Sequence, residues 1–376
     1  CTNINMAVKE KYYSLKNILA KNADYNLVIG ERSNGKSYSV HEYGLDIYLK
    51  TGKQMALIRR WAEDFKGKRG QETFAGLQKS HDGKKIAEMS KGQWEFIYYY
   101  SGRWFLARKD KDSIIRDERP FCYAFALTEV EHDKSSSYED VTTILFDEFI
   151  TKGVYLPDEF VTFQNCLSTI IRDRNDVKIF MLGNTVNRYC PYFAEMGLYK
   201  VKDMEQGTID IYQYGETEMT VAIEFAQSSE KRGFKKKSDD KYFAFDNPKL
   251  KMIKEGIWEI DIYPHCPYRY KDSDIRFVFF IVFNGITLQC EIIKIEEPKC
   301  RFMFIHLKTS ELYHRKNDIV FQEEFSPLRN IRRRIDKPID NIGKLIYRFF
   351  QTDKVFYQNN EIGEVVTNYL NWCRQQ

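Results

Sequence analysis

An eight-residue loop between a hydrophobic strand and an amphipathic helix constrains this chain more than any other feature. Residues 30–37 read G-E-R-S-N-G-K-S, a complete G-x-x-x-x-G-K-S phosphate-binding loop. The apolar run at 25–29 is typical of a buried parallel strand, and residues 36–50 have the apolar spacing of a helix that Gly52 ends. Such a loop turns its backbone N–H groups toward phosphates at the positive end of a helix. The sequence therefore predicts a nucleotide-binding α/β domain.

Every residue of the loop is a predicted nucleotide contact, and these residues are Gly30, Glu31, Arg32, Ser33, Asn34, Gly35, Lys36 and Ser37. Lys36 should reach the β and γ phosphates, and the Ser37 hydroxyl should bind Mg²⁺. No Asn-Lys-x-Asp segment of the guanine-specific type follows the loop. We therefore expect ATP and Mg²⁺ as the ligands.

Composition narrows the class of protein. The 376 residues are enough for two domains, and the net charge of +4 is too small to indicate nucleic-acid binding by itself. No run is long and apolar enough for a membrane span, and the N-terminus lacks a signal-peptide pattern. We expect a soluble, intracellular protein with no membrane partner.

The eight cysteines form no C-x-x-C pair, so reduced and mostly buried thiols are expected. The pair His265 and Cys266, and the group Cys290, Cys300 and His306, are the conceivable zinc ligands. Their spacing fits no common zinc site, so zinc is the disfavoured alternative.

Strand and helix patterns alternate from the loop to about residue 205, as in a mainly parallel sheet flanked by helices. The predicted elements are strands at 54–58, 141–146 and 177–182, an edge hairpin of 94–100 with 103–107, and a helix opened by Pro157. A second pattern starts at 251, with strands at 257–263, 277–283, 287–293 and 301–307 and helices at 342–350 and 361–373.

These patterns predict three regions. Residues 1–206 form a P-loop ATPase domain, residues 207–250 a linker, and residues 251–376 a smaller α/β domain. The linker is basic, and its cations are Lys231, Arg232, Lys235, Lys236, Lys237 and Lys241.

Two adjacent carboxylates end the strand at 141–146. Because parallel strands end at one edge, we expect Asp147 and Glu148 to lie beside the phosphate loop. Asp147 would hold Mg²⁺ through water, and Glu148 would take a proton from the water that attacks the γ phosphate. Asn184 ends the next strand, where its amide is placed to bind that phosphate or the water; a simple Asn turn is the alternative.

Hydrolysis also needs a cation beyond Lys36, and P-loop machines often take an arginine from a neighbouring subunit. The candidates are Arg59, Arg60, Lys134, Arg172 and Arg174, which the sequence does not rank.

Four segments together resemble the DNA-encapsidation ATPases of small protein-primed podophages. They are residues 28–38, 145–150, 171–175 and 182–184; residues 190–193 and the hairpin at 277–288 look similar too. The resemblance spans nearly the whole chain. Its D-E-F-I and R-x-R-N blocks are more specific than the phosphate loop.

The resemblance implies a ring ATPase, usually of five subunits, that docks on the capsid's portal vertex and pumps double-stranded DNA into a preformed prohead. It implies that the protein acts in the host cytoplasm. It also implies membership of the ASCE branch of P-loop proteins, which has an additional strand and a catalytic glutamate. Residue by residue, it implies that Glu148 is the catalytic glutamate and Asp147 the magnesium-associated aspartate. Arg172 matches the arginine finger that acts in trans, and Lys134 a second basic position across the subunit boundary.

The tail of this family resembles a ribonuclease-H-like nuclease domain that has lost its active site. Two-metal nucleases of that fold need a carboxylate in the first strand, and residues 277–283 offer none, so we expect no nuclease activity. A basic cluster could bind DNA, or a structural packaging RNA in relatives that use one; its members are Arg329, Arg332, Arg333 and Arg334, with the basic linker. A solvated basic surface is the alternative.

The leading hypothesis is thus an ATP-driven DNA-packaging motor subunit. One rival is a helicase-like DNA translocase or a large terminase with an active nuclease. A second rival is a nucleotide-gated scaffold that binds ATP without hydrolysing it.

Overall fold

The structure, a computed structural model, describes residues 12–132, 137–227, 258–259, 261–297, 299–310 and 318–376. The chain divides into two compact units, Cys1–Trp258 and Glu259–Gln376. Among the described residues, no helix combines the length and the apolar character needed to cross a bilayer.

A mixed, mainly parallel sheet forms the centre of the first unit. Its strands are β1 (Tyr25–Gly30), β2 (Gln54–Arg59), β3 (Phe96–Tyr100), β4 (Arg103–Asp110), β5 (Ser113–Arg116), β6 (Cys122–Ala126), β7 (Val141–Asp147), β8 (Lys178–Asn184), β9 (Ile209–Gln213) and β10 (Thr220–Phe225). Across the sheet the order is β3-β4-β6-β2-β7-β8-β1-β10-β9, and β5 pairs with β4. Neighbours from β6 to β10 run parallel, so their carboxyl ends share one edge.

Helices cover the sheet. They are α1 (Lys16–Leu19), α2 (Lys36–Thr51), α3 (Gly67–Glu72), α4 (Ala75–Lys79), α5 (Lys85–Met89), α6 (Glu159–Ile171) and α7 (Pro191–Glu195). Successive side chains of a strand point to opposite faces. Accordingly Leu27 packs in one core cluster with Phe163 of α6, whereas Val28 packs in another with Val40 of α2. Burial on both faces explains why these strands are apolar without alternation.

The predicted strand–loop–helix unit is confirmed. Strand β1 is buried along its whole length, and α2 begins at Lys36 directly after the loop. The helix ends at Gly52, whose φ of 72° suits a left-handed C-cap. The hairpin of β3 and β4 lies at the sheet edge, as predicted.

The predicted linker is wrong at its start. Residues 209–225 are not a connection but β9 and β10, and β10 pairs with β1 from Tyr25↔Val221 to Ile29↔Phe225. The shift in composition there reflects a half-exposed edge strand, β9, rather than the end of the domain. The first unit therefore extends beyond residue 206. The basic stretch at 228–241 lies outside the described residues.

The second unit has its own sheet. Its strands are β11 (Ile275–Phe283), β12 (Ile286–Ile295), β13 (Cys300–Leu307), β14 (Val320–Gln322), β15 (Ile331–Arg332) and β16 (Val355–Tyr357), in the order β15-β14-β11-β12-β13-β16. Helices α8 (Asn341–Gln351) and α9 (Asn360–Gln375) follow, capped by Asp340 and Asn359. The predicted hairpin between β11 and β12 turns at Asn284 and Gly285, both at positive φ.

The strand predicted at 257–263 is not formed by Trp258, Glu259 or residues 261–263. The backbone N–H of Tyr263 donates instead to Asn360 Oδ1 at 3.0 Å. Its ring lies against Gly363, where a Cβ would come within 2.2 Å of the ring. Packing on α9 therefore overrides the alternating sequence pattern.

Candidate active site

The carboxyl ends of four neighbouring parallel strands surround the phosphate loop. Strand β1 runs into the loop, and β8, β7 and β2 follow in order across the sheet. Gly30 pairs with Asn184, and Asp147 pairs with Leu182. The sheet therefore brings the loop, the amide of Asn184 and the carboxylate of Asp147 side by side, at the edge where α/β proteins bind ligands.

Left-handed backbone at Ser33 (φ 57°) and Gly35 (φ 95°) shapes the loop. The Asn34 side chain is buried, and its Oδ1 accepts from the Lys36 N–H at 3.3 Å. Its amide nitrogen is buried with no hydrogen-bond partner among the described residues. A buried donor of this kind calls for an acceptor, and the oxygens of a phosphate would supply one.

Lys36 is buried and spans the loop and β8. Its Nζ donates to the carbonyl of Glu31 at 2.6 Å and to Asn184 Oδ1 at 3.3 Å. An ammonium group held by two neutral oxygens gains when charged phosphate oxygens come within reach. The ammonium group of Lys36 and the side-chain amide of Asn184 are therefore close enough to contact one phosphate group.

Ser37 and Asp147 form an oxygen donor pair beside Lys36. The Ser37 hydroxyl donates to Asp147 Oδ1 at 3.1 Å. Mg²⁺ takes only oxygen ligands and commonly uses one or two protein groups, completing its shell with water and phosphate. A hydroxyl and a carboxylate at this spacing fit Mg²⁺.

Arg59, at the end of β2, contacts the carboxylates of both Asp147 and Glu148. Its Nη2 is 2.8 Å from Asp147 Oδ2, and its Nη1 is 3.6 Å from Glu148 Oε2. The Glu148 side chain is mostly exposed to the cleft, and its backbone φ is +64°. Non-glycine residues in this left-handed region are uncommon and are concentrated at functional sites. Of the four candidate cations that the structure describes, Arg59 is the one that contacts the carboxylates of Asp147 and Glu148.

Arg60 points the other way and is buried in a structural ion pair. Its Nε and Nη2 lie 2.7 and 2.8 Å from the two carboxylate oxygens of Glu159, and Nη2 also donates to the Phe149 carbonyl at 3.0 Å. The Tyr192 hydroxyl donates to the same carboxylate at 2.8 Å. This network holds the turn that follows Glu148. Sequence reasoning missed Glu159 and Tyr192, because no local pattern distinguishes a buried glutamate in a first helical turn.

Arg174 is also structural. Its Nη2 donates to the carbonyls of Val141 at 2.7 Å and Ile170 at 3.1 Å. Val141 begins β7, and Asp147 ends it, so Arg174 lies at the edge opposite the phosphate loop, about 20 Å away at 3.3 Å per residue.

Arg172 shares that far edge, at the end of α6, with its side chain exposed and its backbone φ at +52°. It cannot reach the phosphate loop of its own chain. Lys134, the other candidate cation, lies outside the described residues.

His41 is a buried group that the sequence did not single out. It lies one turn after Ser37 on α2, with its ring 4.4 Å from that of Phe74. Burial lowers the pKa of His41 to about 4, against an opposing effect of Asp147. The imidazole is therefore neutral at physiological pH and adds no charge beside the acidic pair.

The phosphate loop and the acidic pair line one cleft of about 860 Å³, large enough for a nucleotide. It contains all the loop residues from Arg32 to Ser37, together with Asp147, Glu148 and Asn184. Its other polar and aromatic members include Tyr12, Tyr38, Arg59, Trp61, Asp64 and Ser80.

Most arginines of the basic cluster in the second unit contact other side chains of the same unit. Arg332 pairs with Asp340 at 2.6 Å and Arg334 with Asp336 at 2.7 Å. Arg333 lies over the ring of Trp372, 5.3 Å from its centroid. The cluster predicted to bind DNA thus consists mostly of arginines with intramolecular partners, which weakens that prediction.

The conceivable zinc ligands of this unit are not assembled. His306 Nε2 lies 3.2 Å from Glu291 Oε1, and the described residues contain no group of three or more His, Cys, Asp or Glu side chains arranged for a metal.

Comparisons with known proteins show what this chain as a whole is similar to. The model of the Podovirus DNA encapsidation protein (Gp16) family matches residues 7–370. The DNA packaging protein of Bacillus phage phi29 is 26% identical over 289 residues, covering 74% of this chain and 75% of the relative. That of Bacillus phage B103 is 26% identical over 266 residues, covering 70% and 72%.

Two solved structures share the fold. The phi29 viral genome packaging motor assembly superposes with a TM-score of 0.54 at 21% identity, covering 98% of this chain and all of the other. The Phi-28 gp11 DNA packaging motor gives a TM-score of 0.52 at 17% identity, covering 97% and 99%.

Proposed function

The chain belongs to the podovirus DNA encapsidation protein family, and from that premise we propose that it is the ATP-hydrolysing subunit of a motor that moves double-stranded DNA into a preformed capsid. The relatives from phages phi29 and B103 are DNA packaging proteins. DNA packaging requires a source of free energy, and ATP hydrolysis in the cleft at the carboxyl edge of the sheet would supply it.

One observation carries the proposal of hydrolysis. Residues from three separate strand ends meet in one cleft: Lys36 and Ser37 after β1, Asp147 and Glu148 at β7, and Asn184 at β8. A site that only bound phosphate would need the loop and its helix alone. An exposed carboxylate next to the magnesium-type oxygens adds what hydrolysis needs, a base with access to water.

The chemistry assigned to each group follows from its position. Lys36 would hold the β and γ phosphates, and Asn184 would orient the γ phosphate. Ser37 and Asp147 would hold Mg²⁺, which when bound would neutralise charge on the phosphates. Glu148 would take a proton as a water oxygen bonds to the γ phosphorus. The bond to the bridging oxygen breaks, and ADP and phosphate leave.

Arg59 would position the base, because its guanidinium contacts the carboxylate of Glu148 at the edge of the acidic pair. The 3.6 Å separation and the exposure of Glu148 make this contact weak enough to exchange for one with water.

Assembly into a ring, of five subunits as the resemblance implies, would add a residue of the neighbouring subunit to the site. Arg172 lies at the sheet edge opposite its own phosphate loop, so it can serve a nucleotide only in a neighbouring subunit. An exposed arginine at that edge suits the stabilisation of charge on the γ phosphate in trans. Lys134 is the second proposed trans residue.

We propose that the second unit has no nuclease activity. Strand β11 has the sequence I-R-F-V-F-F-I-V-F and so carries no carboxylate. Glu291 of β12 is bonded to His306, Gln289 and Tyr270. The partners would be the DNA, the portal vertex of the prohead in the host cytoplasm and, where one is used, a packaging RNA.

Phosphate release measured with and without double-stranded DNA tests the function. We expect magnesium-dependent release from ATP that DNA accelerates, and no cleavage of supercoiled DNA in the same mixture. Binding of ATP without release would support the scaffold instead, and cleavage would support an active nuclease.

A further inference from the structure

The cleft has two chemically different ends, set by the first turn of α2. Ser37 points to Asp147, while the next residue, Tyr38, is rotated by about 100° around the helix. Tyr38 accordingly contacts a different element, since its hydroxyl accepts from Ser80 at 3.1 Å and its ring lies near Gly76. One end of the cleft is acidic, and the other is aromatic.

Tyr12 completes the aromatic end. Its ring centroid lies 6.4 Å from that of Tyr38, with 29° between the ring planes. Tyr12 is 55% exposed, and both tyrosines line the cleft. Tyr12 also packs on Gly35, where a Cβ would lie 3.0 Å from the Tyr12 Cβ. The glycine thus lets the ring approach the phosphate loop.

The segment that carries Tyr12 is fixed to the loop by its next residue. The Tyr13 N–H donates to the Asn34 carbonyl at 2.9 Å, and the Tyr13 hydroxyl donates to Glu224 on β10 at 2.6 Å in a buried contact. Ser39 donates to the Tyr13 carbonyl. A segment whose backbone is held this way loses little freedom when a ligand binds beside it, which favours binding.

The orientation of a nucleotide decides which part meets these rings. With the β and γ phosphates at Lys36 and Ser37, the γ phosphate faces Asp147 and Asn184. The ribose and base extend from the opposite end of the phosphate chain. Trp61 is a further exposed aromatic residue of the cleft, but it lies two residues after Arg59, whose side chain is at the acidic end.

We propose that Tyr12 and Tyr38 form the base subsite, in which the base of the nucleotide stacks on the exposed ring of Tyr12. The proposal rests on the proposed function, since it deepens the nucleotide site of that function. Stacking on an aromatic face is tolerant of base identity, so these rings add affinity for nucleotides over bare phosphate chains.

Calorimetric binding of ADP and of inorganic pyrophosphate, each with Mg²⁺, to the full chain tests the subsite. We expect Tyr12→Ala to raise the Kd of ADP about tenfold and to leave that of pyrophosphate unchanged. Tyr12→Phe should bind both as the wild type does, because stacking needs the ring and not the hydroxyl. Trp61→Ala, the matched control on the same cleft, should also be unchanged.

The outcomes separate the two proposals. If Tyr12→Ala weakens ADP and pyrophosphate equally, the residue only supports the phosphate loop and the base subsite is wrong. An unchanged Kd for ADP overturns it as well. If the wild type binds neither ligand, the proposed nucleotide site itself is wrong. Where the wild type binds both, Lys36→Ala should weaken the binding of both, which confirms that the assay reports on that site.

Discussion

Nη2 of Arg59 lies 2.8 Å from Oδ2 of Asp147, whose other oxygen accepts from Ser37 at 3.1 Å. One carboxylate thus connects the end of β2 to the helix that follows the phosphate loop. The side chain of Arg59 is 25% exposed and that of Asp147 7%, so solvent screens this pair far less than a surface ion pair.

Arg59→Ala should lower the turnover of ATP, on the order of tenfold, because the acidic pair loses the cation that orients it. ATP affinity should change less, since Arg59 contacts no residue of the phosphate loop in the described structure. Arg59→Lys should recover part of the rate, as it restores the charge but not the two-pronged contact. Steady-state phosphate release measures this, and an unchanged rate in Arg59→Ala would contradict the assigned role.

Glu148→Gln should reduce phosphate release by about 10²- to 10⁴-fold, the range that general base catalysis contributes. ATP binding should persist, because the side chain is mostly exposed and lies outside the loop. Asp64→Asn, another carboxylate of the same cleft, is the matched control and should keep the wild-type rate. Wild-type turnover in Glu148→Gln would show that another group takes the proton.

Two neighbouring arginines should behave differently when replaced by alanine. Arg174→Ala should lower the melting temperature, because the carbonyls of Val141 and Ile170 lose a charged donor. Arg172→Ala should lower the melting temperature less, because residue 172 is exposed, and should abolish DNA-stimulated hydrolysis in rings.

Mixing experiments test whether Arg172 acts across a subunit boundary. Rings that combine Arg172→Ala with Glu148→Gln subunits should regain some hydrolysis, because some interfaces then pair an intact base with an intact arginine. Absence of any recovery in assembled rings would count against a shared site.

Glu159→Gln should destabilise the first unit by about 3–5 kcal/mol, as the buried guanidinium of Arg60 loses its counter-charge. Glu63→Gln is the control: it removes the charge of an exposed partner of Lys66 and should leave the melting temperature unchanged. Chemical denaturation followed by circular dichroism measures both. A Glu159→Gln variant as stable as the control would mean that the pair is not buried in solution.

The Glu291–His306 pair should make the stability of the second unit depend on pH. The hydrogen bond from Glu291 raises the pKa of His306 above its usual 6.5. Burial alone would raise the pKa of Glu291, but the hydrogen bonds from His306, Gln289 and Tyr270 outweigh it and lower that pKa below 4.5. The His306 contribution is complete below about pH 6.5 and is lost as pH rises through the raised pKa. The Glu291 contribution is complete above about pH 4.5 and is lost as pH falls.

Hydrogen exchange of the β12 and β13 amides in the full chain measures this effect. The difference in protection between wild type and His306→Gln should be greatest between about pH 4.5 and 6.5 and should shrink toward about pH 8. A difference that does not vary with pH would show that the pair is not ionised.

Several elements were predictable because their signals are local. The phosphate loop is one contiguous segment whose glycines and helix start are visible in the sequence, and β7 is indicated by six apolar or β-branched residues before Asp147. The hairpin at Asn284 and Gly285 is equally local. The prediction that the first domain ends at residue 206 was wrong, because β10 pairs with β1 across almost two hundred residues and no local sequence pattern indicates that pairing.

The sequence alone determined that a phosphate loop, a strand-ending carboxylate pair and a mainly parallel sheet exist, since each follows from the order of neighbouring residues. Only the tertiary structure decided what the cations do. Arg59 and Arg60 are adjacent in sequence, yet one lies on the acidic pair and the other is buried against Glu159. Successive residues at a strand end point to opposite sides, and their partners come from β7 and α6, 88 and 99 residues away. Such contacts depend on the order of strands in the sheet, which forms only when the whole domain has folded.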